Sequence, residues 1–249
     1  MKQKQSFTME IAGCAGRVLP LFESTRDYCR GYLTEREPDF SIAVTATDLA
    51  FEQAELDKEA LEEGFRLRRF TDPFLERQAI QRAFAEHLLC HNTLMLHGSA
   101  LALDGCGYLF TAKSGTGKST HTRLWREVFG SRAVMINDDK PFLRPTEQGF
   151  LLCGAPWSGK HGLDSNIAVP LKGICILERG SENRIAPISP AEALPMLLHQ
   201  SYTPLSPDGR AQYQHLICSL AEQVPLWRLA CTKDPQAAIL AHSAMSQIK

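Results

Sequence analysis

The sequence predicts an α/β protein, a mixed sheet flanked by helices, with a small α+β region at its start. Three observations carry that expectation. Short apolar runs, "AVMIN" at 133–137 and "LKGICIL" at 171–177, read as buried strands and alternate with helical patterns. Asp104-Gly105 separates two further apolar runs as a tight hairpin turn, so the sheet is not purely parallel. The second of those runs enters "TAKSGTGKST" (111–120), a glycine-containing loop that leads into a helical pattern.

The elements follow in chain order. Phe7 to Ile11 and "SIAVTAT" (41–47) read as strands, the second by its alternation of apolar and polar residues. The acidic stretch 48–63 has no single apolar face and fits a helix or an exposed loop. Thr71 or Asp72 can cap a helix with Pro73 in its first turn. Leu75, Ala79, Ile80, Ala83, Phe84 and Leu88 then recur at helical spacing to about Cys90. The change of pattern divides the chain into 1–70 and 71–249. Residues 118–129 read as a helix closed by Gly130. "PFLRPTEQGFLLC" is a further hairpin, and Ser189-Pro190-Ala191-Glu192 has capping-box form. A helix over 208–223 buries Tyr213, Leu216, Ile217 and Leu220. "PLWRLAC" (225–231) is a strand with Trp227 in the core, and Asp234-Pro235 opens the last helix.

The bulk numbers exclude several function classes. A chain of 249 residues with 44% hydrophobic and 22% charged residues is globular. A net charge of −1 gives no global field for nucleic acid. The start MKQKQSFTME is briefly basic, but no signal-peptide pattern and no bilayer-length apolar run follows. A cytoplasmic protein that meets neither membrane nor nucleic acid is expected. The eight cysteines form no C-x-x-C pair, so they read as free buried thiols rather than a zinc site or disulfides.

The loop carries the first chemistry. Ala112-Lys113-Ser114-Gly115-Thr116-Gly117-Lys118-Ser119 matches G-x-x-x-x-G-K-[ST], with alanine at the first glycine. Gly115 and Gly117 permit backbone conformations that turn successive N–H groups inward as an anion nest, and the helix start adds positive charge. A nucleotide phosphate is thus expected across Ser114, Gly115, Thr116, Gly117, Lys118, Ser119 and Thr120. Lys118 reaches the β- and γ-phosphates, and the Ser119 hydroxyl can ligate Mg²⁺.

Asp138-Asp139 closes the apolar run 133–137, where open α/β sheets place ligands if that strand runs parallel to the one feeding the loop. One carboxylate can hold Mg²⁺, and its neighbour can take a proton from an attacking hydroxyl. "GAPWSGKHG" (154–162) offers Trp157, Ser158 and Lys160 either to hold a phosphate or to position the acceptor, against the equal alternative of an ordinary Gly/Pro loop. Arg184 in "ERGSENRI" reads first as part of a solvated turn and only second as a phosphate contact. His121 and Arg123 read as solvent-facing.

"LHGSALALDGCGYLFTAKSGTGKSTH…VMINDDK" resembles the catalytic domain of HPr kinase/phosphorylase over about 94–140, and more distantly phosphoenolpyruvate carboxykinase. The resemblance implies a P-loop-containing mixed sheet of that type. It implies transfer of phosphate from ATP, with Mg²⁺, to a serine hydroxyl of a protein or peptide. Carried over by position, Lys118 and Ser119 bind phosphate and metal, Asp138 is the base, Asp139 the metal ligand, and His97 lies beside the acid pair. The family's later acidic residue before an Arg-Gly has no counterpart in "NIAVPLKGICIL" (166–177).

The expected function is therefore an ATP- and Mg²⁺-dependent serine kinase acting on a polypeptide, with residues 1–70 as a substrate-recognition region. A small-molecule kinase on the same scaffold, or a silent nucleotide-binding regulatory module, are the alternatives. The oligomeric state is left open between monomer and homo-oligomer.

Overall fold

The structure is a computed structural model that describes residues 5–62 and 64–247. Residue 63, the last of the acidic stretch, and the first four residues of the basic start lie outside the described residues. The chain divides into two compact units, one up to His87 and one from Leu88 onward. The break falls within a helix rather than ahead of it at 70/71.

In the first unit, β1 (Phe7–Ile11) and β2 (Cys14–Leu19) form an antiparallel hairpin. Ala12 and Gly13 at its turn both have positive φ, at 51° and 81°. The short helix α1 (Glu23–Tyr28) follows, and β3 (Phe40–Ala43) pairs parallel with β2. The expected strand to residue 47 stops at Ala43 because the next helix, α2 (Ala46–Glu62), starts early. Asp48 Oδ2 accepts from the Thr45 amide at 2.9 Å and its hydroxyl at 2.7 Å, while Thr45 Oγ1 accepts from the Asp48 amide at 3.4 Å. This reciprocal cap fixes the helix alternative for the acidic stretch. The helix α3 (Asp72–Cys90) begins where Pro73 sits, as expected. Its buried Glu76 accepts from the Leu21 and Phe22 amides and from Thr25 Oγ1, so its carboxylate is satisfied.

The second unit is built on a mixed sheet. Its strands are β4 (Leu94–Met95), β5 (Ser99–Leu103), β6 (Cys106–Thr111), β7 (Ala133–Asn137), β8 (Phe142–Thr146), β9 (Gly149–Cys153), β10 (Ala168–Arg179), β11 (Arg184–Pro187) and β12 (Leu226–Cys231). The order is β4-β8-β9-β10-β6-β5-β7, with β12 also on β10 and β11 on β12. β6, β10 and β12 run parallel. β5 is antiparallel to both β6 and β7, so β7 runs the same way as β6. The ends of β6, β7, β10 and β12 therefore share one sheet edge, and the start of β5 returns to it. The condition attached to the acid pair is met. Asp104 (φ 51°) and Gly105 (φ 79°) make the expected β5–β6 turn.

The helices are α4 (Lys118–Phe129), α5 (Pro190–Gln200), α6 (Pro207–Gln223) and α7 (Gln236–Met245). Alternation along each strand sorts the core into two layers. Ala100, Leu109, Ile136 and Ile174 pack in one cluster with Leu197 of α5 and Leu216, Ile217 and Leu220 of α6. Leu101, Tyr108, Phe110, Met135 and Cys175 pack in another with Leu124 and Trp125 of α4 and Ala237 and Ala241 of α7. Apolar residues on both faces explain why these strands read as continuous hydrophobic runs. Trp227 is buried as expected, and the cysteines are free thiols. Ser189 and Glu192 form the expected capping box. Among the described residues no helix is long and apolar enough to cross a membrane.

Candidate functional site

The segment between β6 and α4 is the loop singled out in the sequence. Gly115 has φ +71° and Gly117, which caps α4, has φ +120°, conformations costly for any residue with a Cβ. Ala112, at the first glycine position of the pattern, is fully buried and does not have positive φ. Alanine is tolerated there because no left-handed backbone is needed. Lys118 is buried in the first turn of α4, and its Nζ donates to the Ala112 carbonyl at 3.0 Å. Ser119 and Thr120 are partly exposed beside it.

The acid pair lies at the end of β7 on the same edge. Asn137, fully buried, organises it. Its amide nitrogen donates to the carbonyls of Ala155 (2.6 Å) and Trp157 (3.2 Å). Its Oδ1 accepts from the Asp139 amide (2.8 Å) and the Lys140 amide (2.6 Å). One side chain thus joins the acid turn to the loop after β9.

The two aspartates have different surroundings. Asp138 is buried, and its Oδ1 accepts from Ser99 Oγ at 2.5 Å. Ser99 Oγ lies 2.7 Å from Thr122 Oγ1 on α4. Since the Ser99 proton goes to Asp138, Thr122 supplies the proton of that second bond. Thr122 also touches the carbonyls of Lys118 (3.4 Å) and Ser119 (3.3 Å), so this chain ties Asp138 to the first turn of α4. Asp139 is partly exposed, and its Oδ1 lies 3.2 Å from His97 Nε2. Burial, with the nearby charges of Lys140, Lys118 and His199, pushes His97 down to about 2. The contact is therefore a hydrogen bond from a neutral imidazole to a carboxylate, not an ion pair. Burial raises the Asp139 carboxyl above its ordinary value, against the lowering charges of Lys140 and Lys118. Lys118 acts on both His97 and Asp139, which places all three in one electrostatic cluster.

The donor set can be tested against Mg²⁺. Asp138 is a buried carboxylate with no ion-pair partner among the described residues. A hard cation relieves that arrangement. No group of three or more His, Cys, Asp or Glu able to hold a metal occurs among the described residues. A Mg²⁺ ion held by Asp138 and Ser119 would complete its coordination with phosphate oxygens and water, as this ion usually does. The residues fit.

Other expected residues fall differently. Trp157 and Ser158 are buried, and Ser158 Oγ donates to Asp164 Oδ2 at 2.6 Å. The Trp157 carbonyl also accepts from Asn137, which ties this segment to the acid turn. A Cβ on Gly159 would lie 3.3 Å from that of Asp139, so this loop does border the site. Lys160 is exposed. Arg184 is exposed at the start of β11 and paired with Glu182, as the solvated reading has it. The cation that reaches the loop is Arg179, whose guanidinium donates to the Gly115 carbonyl at 2.6 Å. His121 is a correction: it is buried, not solvent-facing, because Phe110 and Trp125 pack against its ring. Arg123 is exposed, as expected.

Sequence reasoning missed Asn137, Ser99, Thr122 and Arg179. Asn137 precedes the acid pair directly, and a polar residue ending an apolar run was the available signal. Ser99, Thr122 and Arg179 come from other elements, and only strand pairing brings them in.

Comparison with known proteins supplies a family. Residues 76–235, more than half of the chain, match the family described as SynChlorMet cassette protein ScmC. No curated protein matches the sequence. Among solved structures, the Hpr(Ser) kinase/phosphatase from Coxiella burnetii matches 61% of this chain and 88% of its own at 12% identity and a TM-score of 0.35. The resemblance read from the motifs is thus met by a weak structural neighbour and not by a family match. A likeness of that order carries no chemistry. The chain belongs to the ScmC family.

Proposed function

We propose that the chain is a Mg²⁺-dependent phosphotransferase that moves the γ-phosphoryl group of a nucleoside triphosphate, ATP by the sequence expectation, to a serine hydroxyl of a protein or peptide. One observation carries the reading. Lys118, a neutral His97 and a raised Asp139 share one cluster at the sheet edge where the glycine loop opens α4.

The backbone amides of 114–120 and the start of α4 suit the phosphates. Lys118, released from the Ala112 carbonyl, neutralises charge on the transferring group. Ser119 and Asp138 would hold a Mg²⁺ ion, which would supply charge neutralisation on the phosphate oxygens. Asp139 takes the proton of the acceptor hydroxyl as its oxygen bonds to the γ-phosphorus, and the diphosphate leaves with the bridging oxygen. His97 orients Asp139 through its Nε2–H.

These roles reverse the order expected from the sequence, on geometric grounds. Asp138 is locked by Ser99 and Thr122 to the turn bearing Ser119. Asp139 is the more exposed, with a raised affinity for protons.

The test is transfer from γ-labelled ATP to polypeptides of a depleted source-cell lysate, with nucleotide binding measured in parallel. Asp139→Asn should bind nucleotide within about threefold of the parent and lose turnover by about 10²–10⁴-fold. Lys118→Ala should lose both. Asp138→Asn should raise the Mg²⁺ requirement. A parental rate in Asp139→Asn removes it as the base. Binding without any labelled product, in the parent chain, would leave a nucleotide-binding regulatory module as the better reading.

A further inference from the structure

In the first unit, α2 and the segment after it turn polar groups inward and apolar groups outward. The residues that α2 buries are Glu52 and Gln53. Glu52 pairs with Arg82 of α3. Gln53 donates to Asp57 Oδ1 (2.8 Å) and to the Arg68 carbonyl (2.9 Å), and it accepts from the Phe70 amide (3.0 Å). The chain thus doubles back after the helix and runs beside it, held by polar contacts. Its large apolar side chains face solvent: Leu61 is 66%, Phe65 60% and Leu67 55% exposed. Among the described residues, Leu205 is the one other large apolar side chain exposed by more than half. Exposed apolar side chains gathered in one place, rather than scattered singly, mark a surface that a partner covers.

Charge decides which partner. Arg66 and Arg68 are exposed on the returning segment, and neither guanidinium has a hydrogen-bond or ion-pair partner among the described residues. Glu55 and Glu62 of α2 are exposed and equally unpaired. At 3.6 residues per turn both glutamates lie about half a turn round the helix from Gln53, the side that the returning segment covers, and Leu61 lies between. The apolar patch is therefore flanked by a basic row on one side and an acidic row on the other. A partner of a single charge sign brings like charge to one of the two rows. A second copy of the chain complements both.

We infer that this face pairs with the same face of a second copy, about a two-fold axis running along α2. Arg66 and Arg68 of each chain then meet Glu55 and Glu62 of the other, and Leu61, Phe65 and Leu67 are buried between them. The inference does not depend on the phosphotransferase reading.

The experiment is sedimentation equilibrium of the full chain from about 1 to about 100 μM, where a reversible dimer is expected. Arg66→Glu with Arg68→Glu, and separately Glu55→Arg with Glu62→Arg, should each weaken dimerisation at least about tenfold. All four substitutions together restore opposite charges across the contact and should return it to within about threefold of the parent. Leu67→Ser should weaken it without a change of charge. All these side chains are exposed, so urea midpoints should stay near the parent's, which separates a lost contact from a lost fold. A parent chain that is monomeric at about 100 μM overturns the inference, and binding of that monomer to phosphatidylserine vesicles would assign the patch to a lipid surface instead. A dimer indifferent to both charge reversals lies on another face and overturns it too. Failure of the fourfold variant to recover overturns the two-fold pairing of the rows.

Discussion

At the residue scale, Asn137 does the most with one side chain. It contacts two carbonyls and two amides on both sides of the acid pair, fully out of solvent. Asn137→Ala leaves those backbone groups unsatisfied and frees the turn that aims Asp138 and Asp139. It should lower stability by about 2–4 kcal/mol in urea unfolding, and turnover should fall more than nucleotide binding. Retention of parental turnover at a temperature where the variant is folded would show that the turn holds itself. The glycine loop and the aspartates were legible residue by residue, because both are local patterns: two glycines at short spacing before a helix, and two adjacent carboxylates closing an apolar run. Their different surroundings were not. Asp138 and Asp139 are neighbours in sequence, and only Ser99 from one strand and His97 just before it distinguish them.

At the element scale, the segment after β9 shows how a loop is fixed by close backbone approach. A Cβ on Gly154 would stand 1.9 Å from the Ser165 carbonyl oxygen and 3.0 Å from that of Ile136. Both obstacles are backbone, so neither can swing aside. Gly154→Ala should cost about 3 kcal/mol or more, and it should disturb the acid pair through the carbonyls that Asn137 holds. Thermal unfolding and turnover of the variant check both. A shift under about 1 kcal/mol would mean the loop relaxes freely. Most helices and strands of the second unit were legible, because continuous apolar runs, caps and hairpin pairs are local signals. β2, α1 and β11 were not. The residues of β2, "CAGRVL", carry no strict alternation, and β11 lies in a short polar stretch that pairing with β12 makes a strand. Even the Thr45–Asp48 cap was present in sequence, and it decides where β3 stops.

At the scale of the whole molecule, stability should depend on pH through two histidines, His121, which is buried, and His97, which is partly exposed. Burial pushes His121 down to about 4, and burial with nearby cations takes His97 to about 2. Both are neutral in the folded chain and protonate near 6.5 when unfolded. The unfolded chain therefore binds more protons below that pH. Stability is fully present above about 6.5 and falls as pH drops, toward about 4 for His121 and further for His97. Each contributes at most about 1.4 kcal/mol per pH unit in its window. The raised Asp139 carboxyl acts in the opposite sense, gaining as it protonates. Urea midpoints should drop from pH 7 to pH 5, and the drop should be smaller in His121→Phe. A flat profile would mean that His121 is protonated in the fold.

The sequence by itself determined the α/β class, the hairpin that makes the sheet mixed, the glycine loop and the adjacent aspartates. Each is written in local chemistry: alternation, turn residues, caps and short spacing. The tertiary structure alone decided that β7 runs with β6 and that β5 returns His97 and Ser99 to the same edge. It also decided that Arg179 and Lys233 flank the loop beside the buried His121. Those depend on the order and direction of strands distant in sequence, which hydrogen bonding and two-sided burial select and which no local pattern encodes.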